Sequence, residues 1–382
     1  MSGTVLMRID WGLILWTAIA CTVGLLFVHS ATFDDPEYAG QDRRQMLFLA
    51  ASAALGAGVM LVSTSRIQRS TWWIYLAVIA ALVLLPVFGV TVNGARRWYR
   101  LPGFSVQPSE FAKLAVILAL AAHLRFKVRA EATAGWVGAI VVTALPAALV
   151  LMQPDLGSSL VFWPVMFAVC HAAGVPGKTL LRLAAAFAIG GILVVCFGLH
   201  GYQRTRIDTW LSHFAWSDAD LATREVREVI LGSGYQPWQS LIAIGAGGWT
   251  GFGLMQGPQN RYDFLPYRSS DYVFAVVCEE TGWLGAIGVL TLQIVLALWV
   301  LALGSRCRER FSRLCCVGIG IWLGTQSLMH VAVCAWLVPA TGLPMPLISA
   351  GGSSTLVAVV AIALAINLCA RRQPVLAGDG FD

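Results

Sequence analysis

The sequence predicts an all-α polytopic membrane protein of about ten transmembrane helices, with one large extracytoplasmic loop between spans 7 and 8. Three observations predict it. The chain is 58% hydrophobic and only 12% charged, with mean hydropathy +0.72, whereas soluble domains carry roughly 25% charged residues. Apolar runs of spanning length recur from end to end, and the period-2 alternation of a membrane β-barrel is absent. One long stretch, 200–271, interrupts the runs with charged, Trp-rich and Gly-rich sequence. The whole of 1–382 is expected to form a single integral membrane domain.

In order, the apolar runs cover 11–30, 45–63, 72–90, 109–124, 135–152, 157–173, 181–199, 271–303, 314–337 and 349–370. The first lacks a clear small-residue cleavage site and is expected to be a retained span. Ten is even, so both termini share a side, and the basic residues say which. Arg8, Arg66, Arg69, Arg125, Lys127, Arg129, Lys178, Arg182, Arg306, Arg308, Arg310, Arg313, Arg371 and Arg372 fall at one set of ends. The opposite short loops hold Arg43, Arg44, Arg96, Arg97 and Arg100. The first set is therefore cytoplasmic, and the long loop faces outward. None of the nine cysteines lies between 201 and 270, which rules out a disulfide framework there. Cys315-Cys316 has no CxxC or Cys/His partner spacing, so no zinc site is expected there and the cysteines read as small buried hydrophobes.

The outer loops hold the candidate chemistry. Arg96, Arg97 and Arg100 flank Trp98 and Tyr99 against the positive-inside bias. Two readings fit: a seat for a phosphate or diphosphate at the lipid surface, or an interfacial anchor whose arginines snorkel to head groups. In Gln107-Pro108-Ser109-Glu110-Phe111-Ala112-Lys113, Pro108 suits a helix start, Ser109 can cap it, and Glu110 with Lys113 shares one helical face. An ionisable pair inside a membrane is by default a functional hypothesis; a packing ion pair is the alternative. Asp155, in Gln153-Pro154-Asp155-Leu156-Gly157, reads first as a helix cap and second as a partner for an outer arginine. Asp263 reads as a solvated loop charge. Glu279 and Glu280 lie about two and a half turns below Asp271, and one of them is expected to bond a neighbouring helix. The glycines at 245, 247, 248, 251, 253 and 257 are no P-loop; they predict short helices and tight turns on the membrane surface, with Trp210, Trp216, Trp238 and Trp249 dipping towards it. Asp271, where aqueous loop meets apolar run, is the strongest catalytic candidate.

Five blocks in order resemble the SEDS family, the shape, elongation, division and sporulation proteins RodA, FtsW and SpoVE. They are Asn93-Gly94-Ala95-Arg96-Arg97-Trp98, Gln107 to Lys113, Gln153 to Gly157, Phe264-Leu265-Pro266 leading to Asp271, and Gly342-Leu343-Pro344 through Gly351-Gly352-Ser353. The resemblance implies a peptidoglycan glycosyltransferase of the bacterial cytoplasmic membrane that polymerises lipid II, a disaccharide-pentapeptide on undecaprenyl diphosphate. It implies a class B penicillin-binding protein as partner, membrane lipids around the chain and no nucleic acid. The family's essential aspartate maps onto Asp271, and its polar cavity residues onto Arg97, Glu110, Lys113 and Asp155. The chain departs from the family at Ser269-Ser270-Asp271-Tyr272, where His-Thr-Asp-Phe is usual, and at Ala350, where an aromatic is usual. The segments Gly201 to Arg206 and Gly257 to Arg261 resemble RodA more than FtsW, which points to wall elongation.

The residues themselves suit that reaction. Joining a sugar hydroxyl to an anomeric carbon needs a base, for which a partly desolvated carboxylate serves. The departing lipid diphosphate needs positive charge, from Arg96 and Arg97 with or without a divalent cation. Trp98, Gln107, Ser109, Glu110, Lys113 and Asp155 would complete the substrate-binding wall. Two rivals remain at this point: a lipid II flippase, which would tolerate loss of Asp271 but not of Lys113, and a scaffold indifferent to Asp271→Asn.

Overall fold

Apolar sequence in a bilayer must satisfy its own backbone, and a helix does so within one segment. The computed structural model describes residues 8–33, 38, 40–92, 95–126, 133–195, 201–217 and 220–371. Asn93, Gly94, Lys127, Arg129, Cys196, His200 and Arg372 lie outside the described residues. Among the described residues, ten helices of 17 residues or more coincide with the ten apolar runs. They are α1 (Trp11–Thr32), α2 (Gln41–Leu61), α3 (Thr64–Phe88), α4 (Pro108–Leu124), α5 (Thr133–Met152), α6 (Leu156–Ala172), α7 (Gly177–Leu193), α12 (Val273–Ser305), α13 (Arg310–Cys334) and α14 (Gly352–Ala370). Seven of these are long and apolar enough to cross a membrane; α4, α6 and α7, at 17 residues each, are not among them.

Local chemistry sets the boundaries. The Asp10 carboxylate accepts the Leu13 N–H at 3.0 Å to open α1, and Asp155 caps α6 through Ser158 N–H at 3.1 Å. Pro108 stands at the first position of α4, where its missing N–H costs nothing. Ser109 does not cap that helix; its hydroxyl reaches Asp155 instead. α4 and α14 form the buried interior, α12 and α13 pack beside them, and α2 and α3 present most of their surface outward. No residue of α7 is buried.

Between α3 and α4 the chain forms a three-stranded antiparallel sheet, β1 (Val90–Val92), β2 (Ala95–Leu101) and β3 (Phe104–Val106), in the order β1-β2-β3. Within 201–271, the short helices α8 (Tyr202–His213), α9 (Arg224–Leu231), α10 (Tyr235–Ala246) and α11 (Pro258–Arg261) appear as expected. The tryptophans divide: Trp249 is largely exposed, while Trp216 packs edge-on against the buried Trp336 at 5.9 Å.

The long loop is stitched into a break in α12. Gly282 interrupts that helix with φ 63°, a conformation that favours glycine. The interruption frees backbone groups on both sides. Phe252 and Gly253 donate to the carbonyls of Glu279 and Glu280 at 3.0 and 2.9 Å, and Trp283 donates to Gly248 O at 2.9 Å. A Cβ at Gly282 would meet the backbone of 249–251 at 2.5–2.6 Å. The glycine run of the loop thus serves close backbone approach to a helix.

Two further expectations need correction. Cys307 and Cys369 are joined in a disulfide linking the ends of α12 and α14, so the cysteines are not all simple buried thiols. Asp263 is not a merely solvated charge, because the buried Arg268 guanidinium pairs with it.

Candidate active site

Asp271 sits two residues before α12, in a turn where its N–H donates to Tyr267 O at 3.0 Å and its carbonyl accepts from the Cys334 thiol at 3.8 Å. Its side chain is only partly open to solvent. A Cβ placed on Gly342 would lie 3.2 Å from Asp271 Oδ2, so the 339–351 segment forms the opposite wall. Burial pushes the Asp271 carboxyl above its ordinary value, while the Ser270 hydroxyl and the charges of Arg206 and Arg97 pull it partly back and Asp155 adds to the rise.

Those interactions identify the neighbours. Arg97 donates to Gln153 O at 2.9 Å and to Pro154 O. Arg206, on α8, donates to Ala340 O at 2.6 Å. Asp155, from the tight turn before α6, accepts from Gln107 Nε2 at 3.3 Å and lies 3.5 Å from Ser109 Oγ. The turn at 153–155 and the irregular segment at 339–342 therefore hold the two arginines, Arg97 and Arg206, whose charges act on the Asp271 carboxylate. Arg206 was missed as a site residue because a single arginine in a charged loop gives no spacing signal.

Arg96 does not join them. Side chains along a strand alternate faces, so consecutive Arg96 and Arg97 on β2 point apart. Arg96 donates instead to Pro86 O at 2.6 Å and to Thr91 Oγ1 at 3.2 Å. Trp98, on the same face as Arg96, lines a separate outer cavity.

Beneath the site runs a buried polar column. Lys113 Nζ lies 2.7 Å from Glu110 Oε1 and donates to Gln326 Oε1, also at 2.7 Å. Trp322 Nε1 donates to the same oxygen at 2.7 Å, and Gln326 Nε2 donates to Pro344 O at 2.8 Å. His330 bonds Leu343 O at 2.7 Å, and Gln293 bonds Pro346 O at 2.7 Å. Side chains of α12 and α13, with Lys113 of α4 bonded to Gln326 behind them, thereby hold the carbonyls of Leu343, Pro344 and Pro346 in the segment that follows Gly342. The spacing of Trp322, Gln326 and His330 by four residues, one helical face in an apolar run, was the signal that could have found them.

Glu279 and Glu280 hold the loop from the other side. Glu279 accepts the N–H groups of Gln259 and Asn260 at 2.6 and 3.2 Å. Glu280 accepts from Ser30 Oγ of α1 at 2.6 Å and from Asn260 Nδ2 at 2.8 Å. The expected bond to a neighbouring helix is the one to Ser30. Among the described residues, the one cluster close enough to share a metal ion is Cys307, Cys316 and Cys369, but two of its sulfurs are taken up by the disulfide and it lies at the far end of α12 from Asp271.

Residues 11–373 match the family model for FtsW, RodA and SpoVE, described as a cell cycle protein. A probable peptidoglycan glycosyltransferase FtsW of Aliivibrio salmonicida is 33% identical over 93% of this chain and 88% of its own length. Its counterpart in Tolumonas auensis is 32% identical over 95% and 93%. Among solved structures, a chain of a peptidoglycan synthase complex that coordinates polymerization and crosslinking is similar at TM-score 0.77 and 28% identity, covering 94% of this chain and 97% of that one. The rod shape determining protein RodA of Thermus thermophilus is similar at TM-score 0.68 and 27% identity, covering 94% of this chain and 96% of its own; it has also been solved as an Asp-to-Ala mutant.

Proposed function

The chain belongs to the FtsW, RodA and SpoVE family of cell cycle proteins, and on that premise we propose that it is a peptidoglycan glycosyltransferase that polymerises lipid II at the outer face of the bacterial cytoplasmic membrane. The observation that carries the reading is the Asp271 carboxylate, held at the loop–helix boundary within the fields of Arg97 and Arg206. Asp271 takes the proton of the attacking sugar hydroxyl. The hydroxyl oxygen bonds to the anomeric carbon as that carbon's bond to the lipid diphosphate breaks, and the arginines stabilise the departing anion. Arg97 and Arg206 replace the Arg96–Arg97 pair in that role. Gln107, Ser109 and Asp155 position the wall beside it, and the Glu110–Lys113 pair anchors it from below. The arrangement is read as ten spans, with the catalytic loop between spans 7 and 8 facing outward and both termini cytoplasmic.

A class B penicillin-binding protein is the proposed partner for crosslinking, in keeping with the likeness to a chain of a peptidoglycan synthase complex. The glycosyltransferase names of the relatives weigh against the flippase reading. The RodA likeness supports a role in elongation. The relatives named FtsW favour a second reading, a division polymerase. Depletion separates the two, since loss of elongation rounds cells and loss of division leaves filaments. The test of the activity is polymerisation of labelled lipid II by the purified protein with its partner. Glycan from the wild type and none from Asp271→Asn, at equal folding, is the expected result; glycan from both moves the chemistry away from Asp271.

A further inference from the structure

A cavity of about 590 Å³ opens on the outer side between the start of α2, the sheet and the start of α14. Gln41, Arg44, Trp98, Arg100, Gly351 and Gly352 line it, and no carboxylate does so among the described residues. Neither the Arg44 nor the Arg100 side chain has a hydrogen-bonding, ionic or ring partner among the described residues. Arg96, Arg97, Arg206 and Arg268, by contrast, donate to carbonyl or side-chain oxygens. Two guanidinium groups facing one cavity with no acceptor leave their donors to a ligand.

The surroundings add positive potential. α2 begins at Gln41 and α14 at Gly352, both on the cavity wall, and helix N-termini carry partial positive charge. α14 can start there because Gly352 lies against the Phe48 ring, where a Cβ would meet ring carbons at 2.4–2.6 Å. Phe48 and Phe104, edge to face at 6.4 Å, supply an apolar border. The cavity also touches the catalytic segment: Ala350 N–H donates to Ser269 O at 2.8 Å, and Ser269 Oγ donates to Gln41 Oε1 at 3.2 Å.

We propose that Arg44 and Arg100 seat the diphosphate of a lipid-linked sugar, at a position separate from the arginines around Asp271. The guanidinium fork matches phosphate oxygens in pairs, and the aromatic border suits a ligand with an apolar tail. The inference rests on the polymerase reading for the kind of lipid: joining two lipid-linked sugars brings two diphosphates to one active site, and the Asp271 pocket accounts for the one that leaves.

The experiment measures binding of radiolabelled undecaprenyl diphosphate to the full chain in phosphatidylcholine nanodiscs, with inorganic pyrophosphate as competitor, in an Arg97→Ala/Arg206→Ala background that removes the leaving-group seat beside Asp271. Arg44→Ala and Arg100→Ala are each expected to weaken binding about tenfold. Arg44→Lys should recover part of the loss, and Arg96→Ala should have no effect. Both arginines are exposed, so the variants should keep the wild-type melting temperature. Competition by pyrophosphate supports recognition of the diphosphate alone, and its failure supports recognition of diphosphate and tail together. Unchanged binding by folded Arg44→Ala/Arg100→Ala protein, or an equal loss in Arg96→Ala, overturns the proposal. Because the assay requires no turnover, such binding together with a wild-type chain that makes no glycan sinks the polymerase reading and leaves the seat standing.

Discussion

Asp271 is asked to do two things that oppose each other. As a base it must be ionised, yet burial favours its protonated form and places its titration above the ordinary 3.8. Activity should therefore fall on the acid side through a midpoint above 3.8, read from the pH dependence of kcat/KM for lipid II polymerisation. Stability runs the other way. A carboxyl whose folded pKa is raised contributes stability below its unfolded value and loses it as pH rises through the folded value. At neutral pH, Asp271→Asn should thus melt no lower than wild type while losing about 10²–10⁴-fold or more in rate. A melt several degrees lower would mark Asp271 as structural. Lys113 presents the opposite case, since it and Glu110 are each only 1% exposed. Lys113→Met leaves a buried carboxylate uncompensated and should cost about 3–5 kcal/mol. Adding Glu110→Leu should recover much of that stability in thermal melts without restoring polymerisation, whereas recovery of both would reduce the pair to packing.

At the scale of elements, α12 joins the proposed catalytic residue to the loop. Its first turns carry Glu279 and Glu280, its break accepts 248–253, and Asp271 precedes it. Glu280→Ala removes the acceptor for Ser30 and Asn260, while Glu280→Gln keeps one oxygen for them. The alanine variant should open the 248–263 segment to limited proteolysis and lower kcat, with glutamine intermediate; protection unchanged in both would show that the backbone bonds suffice. The long helices were legible because twenty apolar residues admit few alternatives in a bilayer. The α12 break was not, since Gly282 inside an apolar run reads as a tolerated glycine and only the loop's backbone reveals why it bends. The sheet was not legible either. β1 and β3 have three residues each, too few to show alternation, and without the strand Arg96 and Arg97 looked like one cluster. The site was half legible: Asp271, Arg97, Asp155, Glu110 and Lys113 carry charge in conspicuous places, whereas Arg206 and Gln326 matter only through contacts distant in sequence.

For the whole molecule, the functional reading depends on which way the bundle faces. The proposed polymerisation of lipid II takes place outside the cell, which requires Asp271, Arg97 and the sheet to lie on the outer side together with α8 to α11. The charges argue for this orientation, because the turns at the far ends of the helices carry most of the arginine and lysine. Two exposed positions report the two sides. The Arg224 side chain, at the start of α9, is 92% exposed, and Lys178, in the first turn of α7, is exposed on the opposite set of ends. Introduced one at a time, Arg224→Cys should react with a membrane-impermeant maleimide in intact spheroplasts. Lys178→Cys should react only after permeabilisation, each measured above the background of the parent chain. The same pair tests the span count between them. α7 alone separates the two positions, so labelling of both from outside would mean that α7, the 17-residue helix with no buried residue, lies along the surface instead of crossing. Labelling of Lys178→Cys alone would invert the bundle and place Asp271 in the cytoplasm, where no base for outer-face glycan synthesis can act.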